Sequence, residues 1–264
     1  MITISEIINH KRNSLNRLQR YKPLSDIKKD IKRVKIRSNF RKALSDSNDV
    51  KLISEYKPAS PSAGQISNLR VEDVVKLYEN SGSSALSILT EETFFNSSIN
   101  NLRIASKISK LPILRKDFIL NEYQIYESRA AGASAVLLLA DIYPDIMKGI
   151  ELCEYLGMDA LVECRNKNEI RMALDAGAKI IGVNNRNFKD FSIDFNRTKK
   201  LSKLVPSNVS LVSESGVKTI DDVKRLSSYG IDAILVGTTL MGSSSLSQRI
   251  KDIVKATKNS KVRR

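Results

Sequence analysis

Lys116, Glu163 and Glu214 each close a short apolar run: Pro112-Ile113-Leu114-Arg115, Ala160-Leu161-Val162 and Val209-Ser210-Leu211-Val212-Ser213. Asn184 follows Ile180-Ile181-Gly182-Val183 in the same way, and Glu55 and Lys57 end the stretch that begins Leu52-Ile53-Ser54. A charged group at such a place is costly unless it is paired or put to use. Any one of these residues alone reads as a salt bridge at the end of a strand. Brought together, they would form a proton-transfer site, with lysine as acid and glutamate as acid or base. The chain has one histidine, His10, near its start, so the usual acid–base side chain is missing from the body. The Cys/His clusters of zinc sites are missing as well. Cys153 and Cys164 are too few for a disulfide framework and read as thiols.

The elements that would gather these residues are legible as a repeat. Gly82, Gly132, Gly157, Gly177 and Gly230 stand two or three residues ahead of the apolar runs 85–89, 135–139, 160–162, 179–183 and 233–236. Glycine suits the left-handed position that ends a helix, and a short, wholly apolar run reads as a strand covered on both faces. Runs 51–56, 112–116 and 209–214 complete a set of eight. Between the runs, Val71, Val74, Val75 and Tyr78 share one helical face, as do Leu246, Ile250, Ile253 and Val254. Thr219 with Asp222, Asn166 with Glu169, and Ser245 with Gln248 have the spacing of capping boxes. Strand and helix alternating eight times predict parallel strands closed into one (β/α)8 TIM barrel, a fold of about 250 residues. No Gly-x-Gly-x-x-Gly marks an open nucleotide-binding sheet. The barrel is assigned to residues 51–254. A basic helical extension precedes it over 1–50, with one short amphipathic helix at Ile4, Ile7 and Ile8 and another over 39–45; a frayed basic tail follows over 255–264.

In this fold the active site lies at the C-terminal ends of the strands. Glu55, Lys57, Lys116, Glu163, Asn184 and Glu214 would then share one mouth. Asp117 and Asp141 fit less well: alternation could turn Asp117 away, and Asp141 could cap the next helix. Ser215-Gly216 and Gly237-Thr238 follow the seventh and eighth runs, where such barrels often hold a phosphate on backbone N–H groups. Glycine would let the backbone approach the anion, although turns call for glycine in any case.

Read in order, these residues resemble the indole-3-glycerol phosphate synthase family. The resemblance rests on Ser54-Glu55-Tyr56-Lys57-Pro58-Ala59-Ser60-Pro61-Ser62, on Leu86-Ser87-Ile88-Leu89-Thr90-Glu91 with Phe95, and on Arg115-Lys116-Asp117-Phe118. It continues through Glu163, Gly182-Val183-Asn184-Asn185-Arg186, Ser213-Glu214-Ser215-Gly216 and Val236-Gly237-Thr238. It implies ring closure of 1-(2-carboxyphenylamino)-1-deoxyribulose 5-phosphate to indole-3-glycerol phosphate, with loss of carbon dioxide and water. No metal or organic cofactor is implied. Lys116 matches the general acid of ring closure, and Glu163 and Lys57 match the dehydration residues, with the division of labour between them open. Glu55, Asn184 and Glu214 match residues that hold the lysines and the sugar hydroxyls. Ser60 and Arg186 match substrate contacts, Phe95 and Phe118 the apolar walls, and Ser215, Gly216, Gly237 and Thr238 the phosphate cradle. Ala59 stands where some members carry a lysine, and Thr238 where serine is frequent.

Composition narrows the alternatives. The net charge is +15, but residues 1–50 hold 13 basic and 5 acidic side chains and residues 251–264 hold 6 and 1, which leaves only +2 for the body. Nucleic-acid binding is therefore not expected as the main function. No apolar run approaches the roughly 20 residues that span a bilayer, and the first residues lack a signal-peptide layout. The expected partner is a small phosphorylated molecule, and the expected setting is cytoplasmic, as a monomer or weak homo-oligomer. A second reading is a Schiff-base aldolase of the same fold, with Lys116 as a nucleophile of lowered pKa among other cations.

Overall fold

The apolar runs become strands because none of them has a face to leave in water. In a computed structural model describing residues 3–35, 39–45, 48–187 and 190–262, eight parallel strands close into a barrel. Residues 1–2, 36–38 and 46–47 of the expected extension, 188–189 after the sixth strand and the last two of the expected tail lie outside the described residues. The strands are β1 (Lys51–Tyr56), β2 (Ala85–Leu89), β3 (Ile113–Lys116), β4 (Ala135–Leu139), β5 (Asp159–Cys164), β6 (Ile180–Asn184), β7 (Ser210–Glu214) and β8 (Ala233–Val236). Every residue of β2, β4, β6, β7 and β8 is buried, as expected for strands with a packed interior on one face and helices on the other. Each of the five glycines ahead of a strand has a positive φ, from 74° at Gly157 and Gly230 to 100° at Gly82.

Alternation along the strands sorts the side chains into layers. Ile53, Leu114, Leu161, Ile180 and Val212 belong to the apolar cluster inside the barrel. Two residues further on, on the same face, stand Glu55, Lys116, Glu163, Gly182 and Glu214, so the charged layer sits directly on the apolar one. At the other end the interior is plugged by Phe40 and Leu44 of the short helix α3 (Phe40–Ser45). The helix predicted over 39–45 thus has a definite task.

The N-terminal extension departs from expectation. Its first helix, α1 (Ile4–Tyr21), is 18 residues long rather than short, and it opens with a capping box between Thr3 and Glu6. A second helix, α2 (Leu24–Ile31), follows. Leu15 and Ile27 pack on Tyr123 at the start of the helix that follows β3, and the Tyr123 hydroxyl donates to the Lys22 carbonyl (2.8 Å). Lys11 is itself buried and forms an ion pair of 2.7 Å with Asp117, just past β3.

Among the outer helices, Val71–Asn80 buries the four residues predicted for it. The Thr219–Asp222 capping box is formed, and Asn166 accepts from the backbone of Asn168 and Glu169. Ser245 and Gln248 do not cap: Ser245 makes no capping bond, and Gln248 donates instead to Asp252 (2.8 Å). The last helix runs to Thr257, three residues beyond the assigned end of the barrel. Within the expected tail, the Lys261 ammonium pairs with Asp232 at 2.7 Å and the Asn259 N–H donates to Asp49. Among the described residues no helix is long and apolar enough to cross a membrane.

Removing one partner of a buried ion pair strands the other charge. Lys11→Met is therefore expected to lower the free energy of unfolding by about 3 kcal/mol, the low end of the usual range because Asp117 keeps its other donors. Urea denaturation measures this; a loss below about 1 kcal/mol would mean that the pair does not anchor α1.

Candidate active site

The C-terminal ends of the strands open into one cavity. Glu55, Lys57, Ser60, Phe95, Lys116, Phe118, Glu163, Asn184, Arg186, Ser215, Gly216, Gly237 and Thr238 all line it. Glu214 is the one predicted site residue that lies just behind the cavity wall, where it is 1% exposed. It still reaches the site through Lys116, whose ammonium is 2.9 Å from Glu214 and 3.4 Å from Glu163. Asn184 donates to the other oxygen of Glu163 (3.1 Å), and Lys57 pairs with Glu55 at 2.9 Å.

Electrostatics fix the charge on Lys116. Burial by itself would push its ammonium toward the neutral form, but Glu214, Glu163 and Glu55 outweigh it and hold the pKa far above that of a free lysine. The environment is thus the opposite of the cationic one a nucleophilic lysine needs, which corrects the aldolase premise. Glu214 bears the cost. Burial pushes its carboxyl up to about 7, with Lys116 opposing and Glu163 and Glu55 adding repulsion. Among the described residues, one oxygen each of Glu55 and Glu214 is buried without a hydrogen-bond partner. Burial lowers the Arg186 guanidinium pKa, against the pull of Glu55. Burial raises both thiols, Cys153 and Cys164, so neither is poised to react.

Two glycines make room for this layer. A methyl group on Gly182 would overlap the Glu214 carboxylate, and one on Gly237 would overlap that of Glu55. Gly237 therefore has a packing reason to be glycine besides the approach to an anion that the sequence suggests. Ser215 and Gly216 both have positive φ, 68° and 97°. Asn185 secures this turn by donating to the carbonyls of Glu214 (3.0 Å) and Ser215 (3.3 Å).

Several residues that shape the site carry no chemical signature in the sequence. Buried Glu91 accepts from the backbone N–H groups of Thr93, Phe94 and Phe95, forming the turn that presents Phe95. Ile4 and Ile7 of α1 line the cavity from the extension. Arg197 donates to the carbonyls of Asn184 and Arg186 (3.0 Å to the latter), and Thr198 donates to Asn185 (2.7 Å), so one turn of chain clamps the whole Asn-Asn-Arg stretch. Asp117 borders the cavity, but its carboxylate turns to the strand's other side, with Lys11, Arg115 and Thr90 as partners. Asp141 pairs with Arg165 and caps nothing; Asp145 caps the helix that follows.

Fold and site together define a (β/α)8 barrel with a charged cavity at the C-terminal face. The family model described as indole-3-glycerol phosphate synthase matches residues 4–253. A relative of that name from Methanothermobacter marburgensis is 41% identical over 261 residues, 99% of this chain and 94% of the relative. One from Endomicrobium trichonymphae is 44% identical over 218 residues, 81% of this chain and 84% of the relative. The chain belongs to the indole-3-glycerol phosphate synthase family. Among solved structures, thiamine phosphate pyrophosphorylase from Pyrococcus furiosus superposes with a TM-score of 0.63 at 16% identity, covering 84% of this chain and 99% of that one. A 3-hexulose-6-phosphate synthase from Salmonella typhimurium gives 0.62 at 15%, covering 78% and 98%. At those identities the likeness is one of fold.

The raised Glu214 carboxyl has a thermodynamic signature. Its folded pKa of about 7 exceeds the 4.5 of an ordinary glutamate, so the folded state binds this proton more tightly. Its contribution to stability is complete below about pH 4.5 and is lost as pH rises to about 7. Glu214→Gln, which cannot ionise, should gain on the wild type by up to about 3 kcal/mol across that window and no further above it. Unfolding measured at several pH values tests this; a constant difference would place the Glu214 pKa near its free value.

Proposed function

We propose that this chain closes the indole ring. It converts 1-(2-carboxyphenylamino)-1-deoxyribulose 5-phosphate to indole-3-glycerol phosphate, releasing carbon dioxide and water, as a cytoplasmic carboxy-lyase of tryptophan biosynthesis. It acts without metal or organic cofactor, as a monomer or weak homo-oligomer. The observation that carries the reading is Lys116, held protonated by buried glutamates and reaching the cavity with 19% of its side-chain surface.

In this reading Phe95 and Phe118 flank the aromatic ring, and Arg186 meets its carboxylate. Lys116 gives a proton to the ketone oxygen as the ring carbon attacks the carbonyl carbon. Loss of carbon dioxide then restores the aromatic system. The new hydroxyl must leave as water, which requires one proton delivered to it and one removed from the ring system. Glu163 and Lys57 are the groups within reach, and Asn184 and Glu55 orient them. Glu214 serves Lys116 by preserving its charge. Ser60 contacts the substrate from the two-residue ribbon strand Ala59–Ser60.

Ser215, Gly216, Gly237 and Thr238 receive the phosphate. Two helices begin beside them. One, Ile220–Ser227, has its first turn closed by the Thr219–Asp222 box. The other, Thr238–Met241, has no side-chain cap among the described residues; its Leu240 and Met241 N–H groups donate to the Gly237 carbonyl, which leaves those of Thr238 and Thr239 to meet an anion.

The test is indole fluorescence on mixing the purified chain with the substrate in the presence of chelator. The signal should rise, and Lys116→Met should lower kcat by roughly 10²- to 10⁴-fold. A flat signal from folded wild-type protein would contradict the reading.

A further inference from the structure

We propose that Lys218 supplies the fixed positive charge that holds the phosphate end of the substrate, a role that rests on the phosphate cradle described above. A phosphomonoester carries a charge of nearly −2 at neutral pH, and the hydroxyl and backbone groups of Ser215, Gly216, Gly237 and Thr238 bring only partial charges. The other cations of the cavity are committed elsewhere. Lys57 is held by Glu55 at 2.9 Å and Lys116 by Glu214 at 2.9 Å. Arg186 donates to the Phe191 carbonyl (3.1 Å) in the loop after β6 and is assigned above to the carboxylate of the substrate's ring.

Lys218 lines the same cavity, two residues past Gly216. Its backbone is fixed on both sides: the N–H donates to Asp222 (2.9 Å), and the carbonyl accepts from Arg249. The residue is thereby set at the rim of the cradle while its side chain stays exposed. Among the described residues no carboxylate lies within ion-pair distance of its ammonium. The neighbouring helix start, with Asp221 and Asp222 in its first turn, repels an anion and directs it toward Lys218 and the uncapped turn at Thr238. The phosphate takes no part in bond making, so this charge acts alike on ground state and transition state. It belongs in KM rather than in kcat.

The experiment compares wild type, Lys218→Met and Lys218→Arg as full chains, measuring kcat and KM for the deoxyribulose phosphate substrate and inhibition by inorganic phosphate. Lys218→Met should raise KM roughly three- to tenfold, weaken phosphate inhibition by a similar factor and leave kcat nearly unchanged; Lys218→Arg should restore both. Added salt should raise KM more in wild type than in Lys218→Met. Turnover by the wild type with KM and phosphate inhibition unchanged in Lys218→Met overturns the proposal and leaves the ring-closing function standing. No turnover by the wild type, with calorimetric phosphate binding that still falls in Lys218→Met, supports the anion site and removes the function instead.

Discussion

An ammonium group set 2.9 and 3.4 Å from two buried carboxylates is the interaction on which the rest of this structure depends. A lone lysine at that depth would shed its proton, and a lone glutamate would take one up. Holding Lys116 charged requires several acids around it, with little water to screen them. A parallel barrel meets this requirement because alternate strands each deliver one inward side chain to the same layer. Glu55, Glu163 and Glu214 come from three different strands, yet stand in one layer above Ile53, Leu161 and Val212. The glycines at 182 and 237 are the spaces left for two of those carboxylates.

The same alternation explains the extension. If Lys116 points inward, Asp117 points outward, and it is buried there with Lys11, Arg115 and Thr90. That network seats α1, and α1 brings Ile4 and Ile7 to the rim of the cavity. One strand end thus carries both the acid of the site and the anchor of the helix that covers it.

Much of this is legible in the sequence, for identifiable reasons. The strands can be read because they are buried on both faces, and the site residues because a charge ending an apolar run stands out. The cationic surroundings that an aldolase lysine needs cannot be judged from the chain because neighbours in space are not neighbours in sequence: the groups around Lys116 are acids 47 and 98 residues away. Glu91 stands in one of the matching stretches, but its task is not legible there because, like Arg197, it acts on backbone groups; Thr198 gives no signal because its partners, Asn185 and Ser213, are 13 and 15 residues away. The full length of α1 is not legible because, beyond Ile8, its buried positions are only Lys11 and Leu15, and a buried lysine reads as solvated until its partner is seen. Ser245 and Gln248 show the converse, a capping pattern with no cap.

The account turns on Lys116 being a stored acid. Nitrogen NMR of its labelled ammonium, followed from pH 6 to 10 in the free protein, tests that directly. The account predicts a charged signal throughout, with no titration in this range. A midpoint near 7 or 8 would mean that the glutamates do not hold the proton, and would return Lys116 to the role of nucleophile.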